Sequence, residues 1–196
     1  MRFSAIPGAA LIGLDKPAAD EFAGRIAVIT GGGSGIGRST ALLLARLGAK
    51  VHVVDIAKAN ADAVAAEIVA AGGSAAAYRV DVSKPAGVEK LADQVFAADG
   101  RVDVLFNNAG IVRGNKYFWE TEDPRDITTT MGVNSLAPMY ITREFLADMI
   151  AGSGEKRIVN IASSAALVSN PRMAVYAASK WAALGFSDSV RLELEQ

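Results

Sequence analysis

Apolar and polar positions along this chain alternate between two rhythms. Short apolar runs read as buried strands: Arg25 to Thr30, Val51 to Asp55, Ala75 to Val80, Val102 to Phe106 and Arg157 to Ala162. Between them lie longer stretches with helical spacing, at about 35–48, 58–71, 83–100 and 127–150, and a last one starting near Ala174. Gly48, Gly72-Gly73, Gly100 and Gly152-Ser153-Gly154 punctuate their ends. Ser83 is the expected N-cap of the third helix, with Pro85 in its first turn. Strands alternating with helices predict an α/β fold, a doubly wound parallel sheet covered on both faces. Right-handed crossovers and a strand order of 3-2-1-4-5 are expected. A ligand would then bind at the carboxyl ends of the strands, where the order reverses between strands one and four.

Composition narrows the classes. The chain has 196 residues, 51% hydrophobic and 21% charged, enough for one globular domain with a core. A net charge of -1 gives little electrostatic support for nucleic-acid binding. There are no cysteines, so disulfides and thiolate chemistry are excluded, and a reducing, cytoplasmic setting is the expectation. His52 is the single histidine, so the usual zinc and copper sites are not expected and no metal is assigned. Residues 1–24 read as a loose extension. Arg2 and the mildly apolar Ala5–Leu14 resemble a signal peptide, but Pro7, Gly8 and Gly13 interrupt the run. No stretch is long and apolar enough to span a bilayer, so no membrane partner is expected.

The first candidate site is Thr30-Gly31-Gly32-Gly33-Ser34-Gly35-Ile36-Gly37. A glycine turn between a strand and a helix brings backbone amides and a helix N-terminus up to a diphosphate. By itself it fits any nucleotide, S-adenosylmethionine, or a plain tight turn. Asp55 ends the second strand roughly 20 residues further on, where a carboxylate accepts hydrogen bonds from an adenosine ribose. It would repel a 2′-phosphate, and no arginine directly follows it, so NAD is favoured over NADP. A helix-capping or solvated aspartate is the plain alternative. Arg38 keeps a phosphate contact, and NADP, open.

Four motifs stand in order: the Thr30–Gly37 turn, Asn107-Asn108-Ala109-Gly110, Ser163, and Tyr176 with Lys180. Together they resemble the short-chain dehydrogenases/reductases of the Tyr-x-x-x-Lys type, over about residues 24–196. The resemblance implies a Rossmann fold, and an oxidoreductase that interconverts a secondary alcohol and a ketone with NAD(H). It places Gly31, Ser34, Gly35, Ile36, Gly37, Asp55, Asp81, Val82, Asn108, Ala109, Gly110, Tyr176 and Lys180 at the cofactor. It makes Asn134, Ser163, Tyr176 and Lys180 the catalytic group.

The residues support this independently. Tyr176 and Lys180 share one helical face. A free tyrosine is only about 0.1% ionised at neutral pH, and a neighbouring cation favours the ionised form. Without the other motifs they would read as a surface pair. Pro138 lacks an N–H, so the carbonyl of Asn134 loses its partner and a kink is expected there. The resemblance implies that Ser163, whose spacing to Tyr176 fits the family, holds the substrate oxygen rather than Ser164. Leu167, Val168 and Met173 suggest an apolar alcohol or ketone substrate; Tyr117, Phe118 and Trp119 either wall the pocket or pack a loop. His52 reads as a core histidine.

Family resemblance also implies a homodimer or homotetramer built on the long helix and the last helix, through residues such as Met139, Phe145, Ala178 and Ala182. Family members continue past the position of Gln196 with further strands, so the expectation is a C-terminally incomplete form, with an inactive truncated chain or a non-catalytic NAD-binding or oligomerising protein as the alternatives. A methyltransferase is a weaker one, since it has no need of Tyr176 and Lys180.

Overall fold

The computed structural model describes residues 21–195. Most of the expected extension, residues 1–20, lies outside them; Phe22, at its end, packs against the core. Five strands, β1 (Ile26–Thr30), β2 (Lys50–Asp55), β3 (Ser74–Arg79), β4 (Val104–Asn107) and β5 (Arg157–Asn160), form one parallel sheet in the order β3-β2-β1-β4-β5. The helices are α1 (Gly35–Arg46), α2 (Lys58–Ala70), α3 (Pro85–Asp99), α4 (Pro124–Met131), α5 (Ala137–Ala151) and α6 (Ala174–Leu194).

The period of two along each strand divides the core into two layers. Val28, Val54 and Leu105 face Val88, Leu91 and Val95 of α3 and Ile141 and Phe145 of α5. Ala27, Ile29, Val51 and Val53 face Ala41 and Leu44 of α1 and Val64 and Ile68 of α2. Covering both faces explains why β1 is buried at every position and reads as a continuous apolar run. Gly100, at φ 69, ends α3 in the left-handed conformation that glycine adopts without a Cβ penalty.

Three local expectations change. Lys84, not Ser83, is the N-cap of α3; the Ser83 N–H and hydroxyl both donate to Asp81 Oδ1, at 3.0 and 2.6 Å. The break before Pro138 takes the form of a π-helical turn, Gly132–Leu136, joining α4 to α5. Widening one turn is how a helix takes up a missing donor without ending. Phe145 does not face outward toward a partner: it is fully buried and meets Phe96 of α3 with ring centroids 5.4 Å apart.

His52 is fully buried in β2, with Nε2 2.7 Å from Asp99 Oδ2 and Nδ1 3.1 Å from Tyr78 Oη. Burial lowers its pKa below the usual 6.5, and the hydrogen bond and charge of Asp99 offset this only in part. A histidine held below its unfolded value contributes stability in full above the unfolded pKa, and that contribution is lost as pH falls through the folded one. Urea midpoints measured downward from pH 7 should therefore fall once pH drops below about 6.5. His52→Gln should flatten that segment of the curve; an unchanged slope would remove His52 as its source.

Candidate active site

The glycine turn leaves β1 with its backbone held at both ends. The Gly32 N–H donates to the Val54 carbonyl at 3.0 Å, and the Gly33 N–H donates to Asp55 Oδ2 at 3.0 Å. Asp55 Oδ1 accepts from the Ala57 N–H at 2.9 Å, so this carboxylate braces the turn and the start of α2 together. Each carboxylate oxygen has a second lone pair, so Asp55 keeps acceptor capacity toward the cleft. Gly37 permits the closest approach in the turn. A Cβ there would lie 2.1 Å from the Gly31 carbonyl oxygen and 2.6 Å from Asn108 Nδ2.

Asn108 and Thr30 tie β1 to β4 at the point where the strand order reverses. Asn108 Nδ2 donates to the carbonyls of Thr30 and Gly31, at 3.0 and 3.2 Å. Thr30 Oγ1 accepts the backbone N–H groups of Asn108 and Ala109, both at 3.1 Å. Asn107 points elsewhere: its Nδ2 reaches Thr142 Oγ1 at 3.2 Å and Asn160 Oδ1 at 2.8 Å, joining β4, α5 and β5.

Above these strand ends is a cleft of about 540 Å³. It is lined by Gly31, Ser34, Gly35, Ile36, Asp55, Asp81, Val82, Asn108, Ala109, Gly110, Tyr176 and Lys180, along with Ile56, Val80, Ile111, Val112, Val133, Ile161 and Ala162. Among the positions expected at a cofactor only Gly37 is absent from the lining, because it sits inside the turn. Arg38 is engaged by Glu67 at 2.6 Å, outside the cleft. The lining suits a dinucleotide: a Cβ-free turn at one wall, carboxylates at the ends of the neighbouring strands, and apolar side chains between them.

At the other end of the cleft, α6 presents Tyr176 and Lys180. The Lys180 ammonium is nearly buried, donates to the Ile161 carbonyl at 2.7 Å and lies 6.0 Å from the Tyr176 ring centroid. Burial lowers its pKa from the usual 10.5. Asn134, in the π-turn, is pinned by Ile111, whose N–H donates to Oδ1 and whose carbonyl accepts from Nδ2, both at 2.8 Å. Asn134 Nδ2 also donates to Ser179 Oγ at 3.0 Å, and that hydroxyl donates to the Tyr176 carbonyl at 2.7 Å. Asn134 and Lys180 converge on Gly110: a Cβ there would stand 3.5 Å from Asn134 Oδ1 and 3.5 Å from Lys180 Nζ. The structure thus brings Asn134, Tyr176 and Lys180 together. Ser163 is set apart, as its Oγ accepts the Ala165 N–H at 3.2 Å and it does not line the cleft. Leu167 and Val168 stand exposed rather than walling a pocket. Tyr117 and Trp119 stack on each other, while Phe118 and Met173 line a narrow crevice beside Tyr176.

Residues 25–196 match the family model described as short chain dehydrogenase. The chain belongs to the short-chain dehydrogenase family. The human protein named epidermal retinol dehydrogenase 2 is 40% identical over 182 residues, 92% of this chain and 57% of that protein. A short-chain dehydrogenase/reductase from Burkholderia phymatum, solved in complex with NAD, is 38% identical with a TM-score of 0.86, covering 89% of this chain and 62% of that one. A metagenomic short-chain oxidoreductase, solved in complex with NADP, is 37% identical with a TM-score of 0.85, covering 89% of this chain and 78% of that one. This short-chain dehydrogenase chain therefore spans little more than half the length of the first of these relatives. Among its described residues no helix is long and apolar enough to cross a membrane, and no cluster of histidine and carboxylate side chains could hold a metal.

Two residues shape this short-chain dehydrogenase site through their hydroxyls. Thr30 opens the turn motif, but the motif gives its side chain no role of its own. Ser179 looks like a small polar residue next to Lys180. Their hydroxyls matter because each joins two segments far apart in sequence, and no local pattern reports that.

Proposed function

We propose that this chain transfers hydride between a secondary alcohol, or its ketone, and NAD(H). The observation that carries this reading is the shared cleft: Tyr176 and Lys180 line one end of it, and the glycine turn and Asp55 the other. When bound there, the nicotinamide cofactor supplies the hydride acceptor or donor. Gly31, Ser34, Gly35 and Ile36 hold the diphosphate, and Asp55 holds the adenosine ribose. In the oxidation direction the Tyr176 oxygen, in its ionised phenolate form, takes the proton of the substrate hydroxyl and becomes the neutral phenol. Lys180, kept from water and fixed on the Ile161 carbonyl, places a positive charge beside that event. Ser163 contributes a second hydrogen bond to the substrate oxygen once its hydroxyl turns from the Ala165 N–H. Asn134 fixes the Ile111 backbone and the Tyr176 turn, and so sets where the proton leaves.

The test is turnover of a panel of hydroxysteroids, sugars and aliphatic alcohols with NAD and with NADP. The reading requires NAD-linked turnover of at least one of them. Asp55 supports NAD because its carboxylate lines the cleft beside the turn and would face a 2′-phosphate with like charge. Asp55→Ala should reduce the ratio of NAD to NADP kcat/KM by about tenfold or more, the scale of one lost charge contact. A ratio left unchanged would leave the cofactor choice to other residues.

One observation favours a second reading, NAD binding without turnover: the Ser163 hydroxyl serves its own turn rather than the cleft. Tight NADH binding with no oxidation of any alcohol in the panel would select it.

A further inference from the structure

A narrow crevice opens beside Tyr176 between the segment after β4 and the segment before α6. Arg113, Lys116 and Arg172 line it together with Val112, Phe118 and Met173, and no carboxylate does. Arg113 is engaged by Asp126 at 3.1 Å. Among the described residues, Lys116 and Arg172 have no carboxylate within ion-pair distance, and both are exposed at the rim. Glu120 Oε2 accepts the Tyr117 N–H at 3.0 Å and is not within ion-pair distance of either cation.

Arg172 is held in an unusual way. It has φ 64, and among the described residues no other side-chain-bearing residue has a positive φ. A left-handed arginine is strained, and such strain persists where neighbouring contacts over-determine it. Here the guanidinium lies over the Tyr117 ring, 4.9 Å from its centroid, and Tyr117 stacks on Trp119 at 4.7 Å with the planes 8° apart. A guanidinium held over a ring keeps its charge and can still donate N–H groups to an anion. The crevice holds only about 10 Å³, too little for a carboxylate, so the anion sits at its outer rim.

We propose that the substrate carries a carboxylate, held at the rim by Arg172 and Lys116, remote from the hydroxyl that reacts at Tyr176. This deepens the alcohol-dehydrogenase reading and rests on it. The apolar part of the substrate lies against Val112 and Met173, between the two polar ends. Arg172 is then the residue that sets the length and charge of the preferred alcohol.

The test compares straight-chain hydroxy acids, with the hydroxyl at increasing distances from the carboxylate, with their neutral methyl amides. kcat/KM with NAD is one readout. Calorimetric binding of the hydroxyl-free acid and amide to the NAD-loaded chain is the other. At the best chain length the acid should exceed its amide by about tenfold or more, the worth of a charge-assisted hydrogen bond. Arg172→Gly is the chosen variant because glycine accepts the positive φ; it removes the cation together with its contact on Tyr117. It should bring acid and amide within about twofold of each other, and the acid preference should be partly restored in Arg172→Lys. Equal use of acid and amide by the parent chain, or a preference that survives Arg172→Gly, overturns the proposal. If no alcohol is oxidised at all, the dehydrogenase reading falls, and calorimetry still decides whether the rim prefers the anion.

Discussion

Tyr176→Phe should lower kcat for the best alcohol by about 10²–10⁴-fold, the range that a positioned acid–base group supplies. The substitution removes one oxygen and leaves the ring. Its other consequences should be small, because the surrounding network does not use that oxygen. Lys180 is held by the Ile161 carbonyl, and Ser179 bonds the backbone carbonyl of Tyr176 rather than its hydroxyl. NADH affinity and melting temperature should therefore stay close to those of the parent chain. NADH absorbance at saturating alcohol gives the rate, and fluorescence titration gives the affinity. A variant that keeps more than about a tenth of the parent rate would show that another group takes the proton.

The second large effect is structural. Gly37→Ala should cost at least about 1–3 kcal/mol of stability and abolish measurable cofactor binding. The added carbon would fall 2.1 Å from the Gly31 carbonyl oxygen, which is backbone and cannot swing aside as a side chain would. Either α1 moves away from the turn, or Gly31 moves and takes the Asn108 contact with it. Gly87 is the control. It lies in α3, where a Cβ would meet its nearest neighbour, Val80 Cγ1, at 3.5 Å, an ordinary contact. Gly87→Ala should be neutral or stabilising by up to about 1 kcal/mol, because alanine is the better helix former. Denaturant melts of both variants, with NADH titrations, read the contrast. Equal stability of the two would mean that the turn is looser than its geometry indicates.

Most of the fold was legible in the chain because its signals are local and repeated. Apolar runs marked all five strands, glycines marked the helix ends, and strand–helix alternation implied the observed sheet order. What was not legible depended on which face a residue takes after folding. Phe145 reads equally well as an interface or a core residue, and only the position of α3 decides it. Ser83 reads as the start of α3 by its type; the Asp81 carboxylate takes the serine, and Lys84 stands at the N-cap. At the site, the glycine turn, Asp55, Tyr176 and Lys180 are on motifs whose spacing survives in the sequence. The Arg172–Tyr117 contact joins two loops through a cation over a ring, so nothing in either loop alone indicates it.

The Thr30 hydroxyl has a consequence in time as well as in space. It captures the two amide hydrogens that follow β4, at Asn108 and Ala109, so these loop amides exchange with solvent only when β1 and β4 part. The floor of the cleft therefore keeps the slow clock of the central sheet. The segment at Lys116 and Trp119 is exposed and pairs with no strand, so its amides should exchange faster than those of the floor. A ligand entering this cleft meets a floor already set by the central sheet.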